Sequence, residues 1–375
     1  MTVVIALLTY NLFLFLTLVL PSGKIINNKS ITLLKNETSG FSWNIRLFLV
    51  IVAIIIVAGT RESYVGTDYW GYLEFYNYIL DHGSFPTYWK QNEAGWEYLN
   101  FAFAKLGVPA GIFFGLVAGM IWYFFVKGSY RFQFLLPLMF FFIITNGFFF
   151  WTLSGLRQSI AIMIFFFAIK YIIEKKPIHY GLSIFVASLF HVSILVMLPI
   201  YFLSMIKFNR NLFFVLYILS IAFIGSDWFL NQMASLVSFV ASKIDVLSIY
   251  ASYLETEKFA MNDERTSSGL GVILKIATTF FILYKSNDIL KKQPKLSVYF
   301  VLFFIGAILG NVFFTNEIVG RVLNYFNICF AIVAASSIYY STKKYEKMIA
   351  VLLILAYFLM FNVQIYRFFS SIGNL

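Results

Sequence analysis

Long apolar runs dominate this chain, separated by short polar segments. Runs able to cross a bilayer, roughly 17–25 residues each, fall near 2–20, 44–60, 108–126, 132–152, 157–174, 211–230, 268–286, 296–315, 321–340 and 347–368. The pattern predicts an all-α, polytopic integral membrane protein with about ten full transmembrane helices. Residues 3–20 are expected to be the first span. They are not read as a signal peptide, because they lack a positive n-region and a small-residue cleavage pattern. The region 179–206 breaks the rhythm, being apolar yet holding His191 in its middle and Pro199 near its end. It is expected to be a re-entrant helical pair turning at His191-Val192-Ser193, with Ser193 capping the returning half.

Composition narrows the class. The 375 residues are 61% hydrophobic and 12% charged, against about 25% charged in soluble domains. The chain is therefore read as one transmembrane domain over 1–375, with no room for a large soluble one. The net charge of +11 would suit nucleic acid if it were clustered, but its placement follows the topological rule for membrane proteins. If 179–206 enters and leaves on one side, most of the 28 basic residues, including Lys285–Lys295 and Lys343–Lys347, face the cytoplasm. A simple crossing would send those later loops outside, so the hairpin is preferred. Both termini then lie outside, and the sequon matches at Asn28-Lys29-Ser30 and Asn36-Glu37-Thr38 fall on the cytoplasmic side. Cys329 is the only cysteine, which precludes an intrachain disulfide.

The same layout puts most of the 17 acidic residues outside, in two extracytoplasmic loops at 61–97 and 231–267. Both mix carboxylates, amides and aromatic rings, a lining suited to carbohydrate. Within the first, Asp68 in Gly66-Thr67-Asp68-Tyr69 and Glu93 in Glu93-Ala94-Gly95-Trp96 are the carboxylates that could serve as base, sugar ligand or N-cap. Arg157 follows Ser154-Gly155-Leu156 and precedes Gln158, and Arg321 follows Gly320; each opens a span at its outer end. A guanidinium beside the unpaired N–H groups of a helix start suits a phosphate or pyrophosphate. Arg321, Asn324 and Tyr325 share a helix face by their spacing. His191 could act as base, phosphate donor or structural tie. His82 and His179 read as loop residues without a role. No metal-ligand spacing or Walker loop is seen, so neither metal nor cofactor is expected, although two outer carboxylates could hold a hard cation.

Taken in order, Gly66-Thr67-Asp68-Tyr69, Glu93-x-Gly95, Leu156-Arg157-Gln158, Phe190-His191-x-Ser193 with Leu198-Pro199, and Gly320-Arg321 with Tyr325-Phe326 resemble the EpsG-like branch of Wzy-type polysaccharide polymerases. The resemblance runs from about residue 61 to 326. It implies a membrane (GT-C-like) glycosyltransferase that polymerises undecaprenyl-pyrophosphate-linked oligosaccharide repeat units on the outer face of the bacterial inner membrane. It implies that Arg157 and Arg321 hold the pyrophosphate, and that His191 with Asp68 serves acceptor or leaving group. Glu93, Tyr69, Gln158, Asn324, Tyr325 and Ser193 would line the glycan and pyrophosphate site. The bilayer and a chain-length regulator are the expected partners, and nucleic acid is not one. A lipid-linked oligosaccharide flippase and a membrane O-acyltransferase acting on the glycan are the alternatives.

Overall fold

The computed structural model describes residues 3–20, 45–87, 93–203, 206–224, 269–314 and 317–373. Among them all regular structure is helical. In chain order the α-helices are α1 (Val3–Val19), α2 (Ile45–Gly59), α3 (Tyr69–His82), α4 (Ala94–Lys105), α5 (Ala110–Gly128), α6 (Leu136–Thr145), α7 (Phe148–Ser154) and α8 (Leu156–Ile173). They continue with α9 (Pro177–Ser188), α10 (Ile200–Leu203), α11 (Arg210–Ile221), α12 (Gly269–Lys292), α13 (Ser297–Val312), α14 (Glu317–Asn327), α15 (Cys329–Tyr339) and α16 (Lys344–Gly373). The chain divides into two compact units, one of residues 1–205 and 334–375, the other of 206–333.

Six helices among the described residues are long and apolar enough to cross a membrane, which makes this a multi-pass membrane protein. Each of the ten apolar runs contains helix, but not each makes a full span. Among the described residues α1 has 17 residues, at the lower limit for a crossing, while α2 and α11 have 15 and 12, short of the length a straight crossing needs. The run 132–152 is bent by 67°. Gly147, at φ 85, takes a left-handed conformation that costs glycine nothing, and it parts α6 from α7. The sequon sites and the expected loop 231–267 lie outside the described residues. The other expected loop, 61–97, contains α3 and the start of α4. Hydropathy passed over α3 because its apolar face is aromatic and its other face polar.

In the first unit α8 is the most buried of the six candidate spans, and α5 packs against it and against α2. The approach of α2 and α5 is made by Gly59, Gly111, Gly115 and Gly119. A Cβ on Gly111 would stand 2.8 Å from the Gly59 carbonyl oxygen, and one on Gly115 2.8 Å from that of Ile55. Small residues four apart are the usual device for such contacts where no hydrophobic force draws helices together. α1 meets α16 through an amide pair, Asn11 Nδ2 donating to Asn362 Oδ1 at 2.7 Å. At the C-terminal end of α8, Glu174 gathers Arg131, Lys176 and the Tyr130 hydroxyl at 2.7, 2.8 and 3.1 Å. Burial alone would raise this carboxyl, but the three hydrogen bonds prevail and hold it below its ordinary value.

The 179–206 region forms a hairpin. α9 starts on Pro177, a favourable first helical position, and ends before His191, whose backbone is extended at φ −158, ψ 113. A 3-10 helix (Val192–Met197) and α10 then run back along α9. The Tyr180 hydroxyl donates to the Met197 carbonyl at 2.6 Å, and its ring lies 5.6 Å from that of Tyr201. An early residue of one limb therefore meets late residues of the other, so the limbs are antiparallel. The expected turn is present, but the cap position belongs to His191, and Ser193 lies one residue inside the 3-10 helix.

In the second unit α11, α12, α13 and α14 pack together. Gly306 admits α14, since a Cβ there would come within 2.5 Å of Phe326 Cβ. Asn311 Nδ2 donates to Ser220 Oγ at 2.9 Å.

Candidate active site

The site assembles in the first unit where α3, α4, α8 and the α9 hairpin converge. Its centre is Glu93, which immediately precedes α4 and is 5% exposed. One carboxylate oxygen, Oε2, accepts from Arg157 Nη1 at 2.7 Å; the other, Oε1, meets His191 Nδ1 at 2.6 Å. These residues are separated by 64 and 98 positions in the chain. A buried carboxylate must be paired, and this one has two partners on two elements.

Glycine makes the junction. The Gly95 N–H donates to the Leu189 carbonyl at 2.8 Å, and a Cβ at position 95 would stand 2.9 Å from Leu189 Cβ. Glu93-x-Gly95 thus docks the start of α4 directly on the end of α9. That contact brings Glu93 within reach of His191.

Arg157 is the second residue of α8, in the first turn, where the helix dipole disfavours a cation. Glu93 offsets this, and the Tyr72 hydroxyl accepts from Arg157 Nε at 3.4 Å. Tyr72 is buried against the edge of Trp96 at 5.2 Å, and burial raises its phenol above the ordinary value. The Arg157 side chain remains 31% exposed and that of His191 23%. Both can therefore meet a ligand.

A carboxylate oxygen only accepts, so Nδ1 of His191 carries the hydrogen at the Glu93 contact. In the neutral ring Nε2 then holds the lone pair. Among the described residues no hydrogen bond engages that nitrogen. The geometry is that of an imidazole oriented by a carboxylate, with a guanidinium bound to the same carboxylate. Charge at the centre sums to zero with a neutral imidazole and to plus one when it is protonated. Such a group can take a proton on one side and stabilise an oxyanion on the other.

Asp68 stands beside this centre, outside the hydrogen-bonded triad. It is exposed, and its backbone N–H donates to Ser154 Oγ at 3.2 Å while Thr67 Oγ1 pairs with the same hydroxyl at 2.7 Å. Gly66 permits the approach: its φ is 106, and a Cβ would lie 2.9 Å from the Leu153 carbonyl oxygen. Asp68 is thereby fixed at the α7–α8 junction, one helical turn before Tyr72. Tyr69 is buried against Phe114 with the Arg61 guanidinium 3.6 Å above its ring. Arg61 also donates to the carbonyls of Ala58 and Leu153 at 2.7 and 3.3 Å, closing the ends of α2 and α7. Burial lowers that guanidinium to about 10. Gln158 is buried in α8, and Ser193 is half-buried.

Arg321, Asn324 and Tyr325 belong to α14 in the second unit. Arg321 is exposed, Asn324 half-buried and Tyr325 fully buried. α14 starts at Glu317, which puts Arg321 in the second turn rather than at the helix opening. Asn324 Oδ1 accepts from Asn327 Nδ2 at 3.4 Å.

Two contributors escaped sequence reasoning. Tyr72 was one of many tyrosines, and only its place one turn after Asp68 marks it. Ser154 carries no local signal in the sequence that it anchors Thr67 and Asp68.

No curated protein and no solved structure matches this chain. Residues 44–372 match the EpsG family, a Wzy-like polymerase family whose members point to membrane polysaccharide polymerisation. With nearly its whole length in that match, the chain belongs to the EpsG family.

Proposed function

We propose that this protein joins oligosaccharide repeat units carried on undecaprenyl pyrophosphate into O-antigen, capsule or exopolysaccharide, at the outer face of the bacterial inner membrane. The observation that carries the reading is the bridging of Arg157 and His191 by Glu93. It couples a proton acceptor to an anion-binding group, the two needs of transfer from a pyrophosphate.

In the proposed reaction an acceptor sugar hydroxyl attacks the anomeric carbon of the lipid-linked donor. The new C–O bond forms as the old bond to the pyrophosphate breaks, its electron pair leaving on the phosphate oxygen. The hydroxyl proton passes to Nε2 of His191. Glu93 orients the ring and stabilises the imidazolium that forms, as the carboxylate does in hydrolase triads. Arg157, at the positive end of α8, offsets charge on the departing pyrophosphate. Arg321, exposed on α14 of the second unit, is proposed from the family resemblance alone as a further pyrophosphate ligand. Asp68, exposed beside the centre, is proposed as an acceptor-hydroxyl ligand, which leaves Glu93 as the orienting carboxylate rather than the base.

The test is the fate of the lipid-linked unit in cells lacking the protein. Single units accumulating on the outer leaflet, where an added glycosidase trims them, support a polymerase. Accumulation on the inner leaflet only would identify a flippase instead. Single units that polymerise normally but lose acetyl groups would identify the acyltransferase.

A further inference from the structure

We infer that the outward face of α3 is a binding track for neutral oligosaccharide, distinct from the reaction centre. The inference rests on the polymerase reading for its substrate class. α3 has two unlike faces. Tyr69, Tyr72, Phe75, Tyr76 and Ile79 are buried, and Tyr72 touches Arg157. The opposite face forms an open groove of about 320 Å³ along the helix, lined by Trp70, Leu73, Glu74, Asn77, Tyr78, Asp81 and His82. Binding sites for small ligands start near this size, on the order of 300–1,000 Å³.

The chemistry selects the occupant. Trp70 is 63% exposed, presenting an indole on which the apolar face of a sugar ring can lie. Glu74, Asn77 and Asp81 are exposed at successive turns of the same face, supplying acceptors and one amide donor for hydroxyl groups. Among the described residues lining the groove there is neither lysine nor arginine; His82 stacks on Tyr78 at its end, and two carboxylates repel phosphate. An anionic lipid surface or a free pyrophosphate therefore fits poorly, although an exposed tryptophan alone would suit a membrane interface. An uncharged glycan fits. The track begins two residues before Tyr72 and extends from Trp70 to Asp81, about 16 Å at the helical rise. A chain held there would place sugars beyond the reacting one along α3, which favours retention of the growing polymer between transfers.

The test uses short neutral oligosaccharides cut from the polymer of the cells that express the protein, free of lipid and phosphate. Calorimetry with the intact detergent-solubilised protein measures their binding. Wild type should bind, and Arg157→Ala should bind equally. Trp70→Ala should weaken binding at least tenfold, Trp70→Phe much less, and Asp81→Asn several-fold, all with unchanged thermal unfolding. In the polymerisation reaction Trp70→Ala should shorten the product while the first joining of two units persists. Equal affinity in Trp70→Ala and Asp81→Asn, or no binding by folded wild type, would overturn the assignment and leave the polymerase reading standing. Sugar binding by a protein that joins no units would refute the polymerase reading and keep the track.

Discussion

Replacing Glu93 by glutamine changes one atom's identity and almost no volume, yet it should nearly silence the reaction. The carboxylate accepts at both oxygens, from Arg157 at 2.7 Å and from His191 at 2.6 Å. A carboxamide offers one acceptor and one donor group, so it can satisfy only one partner. If its oxygen keeps Arg157, the amide N–H points at Nδ1 and forces the hydrogen onto Nε2, where the base is needed. If its oxygen keeps His191, a donor faces the guanidinium donors and Arg157 turns away. Either way one charge-assisted bond is lost, about 1.5–3 kcal/mol, which is roughly a ten- to 150-fold effect at 1.4 kcal/mol per decade. The imidazolium also loses its stabilising negative charge. Together these predict a fall of at least about 10²-fold in the first joining step under single turnover. Thermal unfolding in the same detergent should drop by a few degrees at most, since both partners stay partly exposed. A Glu93→Gln protein within threefold of wild type would show that the bridge is structural and refute the assignment of the base.

Other expectations follow from single contacts. Arg157→Lys keeps the charge but cannot reach Glu93 and Tyr72 together, so the joining rate should fall at least tenfold; an unchanged rate argues against a forked anion contact. Gly95→Ala drives a methyl to within 2.9 Å of Leu189 Cβ and should part Glu93 from His191, giving low activity and a loss of about 1–3 kcal/mol on unfolding. Activity at wild-type level there would mean the α4–α9 docking does not set the site. Glu174 should stabilise the fold above its unfolded value, near 4.3, and lose that contribution as pH falls through its depressed folded value. Melting temperatures of wild type and Glu174→Gln should therefore differ at neutral pH and converge in acid; a constant gap would contradict the network.

Much of the framework was legible because periodicity and length are local properties. Gly147 bends one expected span, and α2 and α11 stop short, for reasons hydropathy averages away. The break at His191 was foreseen from one polar residue in an apolar run, while its cap was misplaced by two residues. The pairing of Glu93 with Arg157 and His191 could not be read from the sequence. It depends on Gly95 meeting Leu189, a contact between segments far apart in the chain. α3 lies in a segment whose mean hydropathy suggests a loop, although Gly83 at φ 67 ends it as glycine commonly ends helices. The glycine series 111, 115 and 119 is a small-residue repeat visible in the sequence, and it marks the face of α5 that meets α2.

The central claim is that Glu93, Arg157 and His191 form the reaction centre of a polymerase. Its most direct measurement supplies purified protein in vesicles with only the lipid-pyrophosphate-linked repeat unit and resolves the products by mass. Wild type should give a ladder of whole multiples, with free undecaprenyl pyrophosphate released at each joining. His191→Ala and Arg157→Ala should leave single units. A full ladder from folded His191→Ala and Arg157→Ala proteins would contradict it.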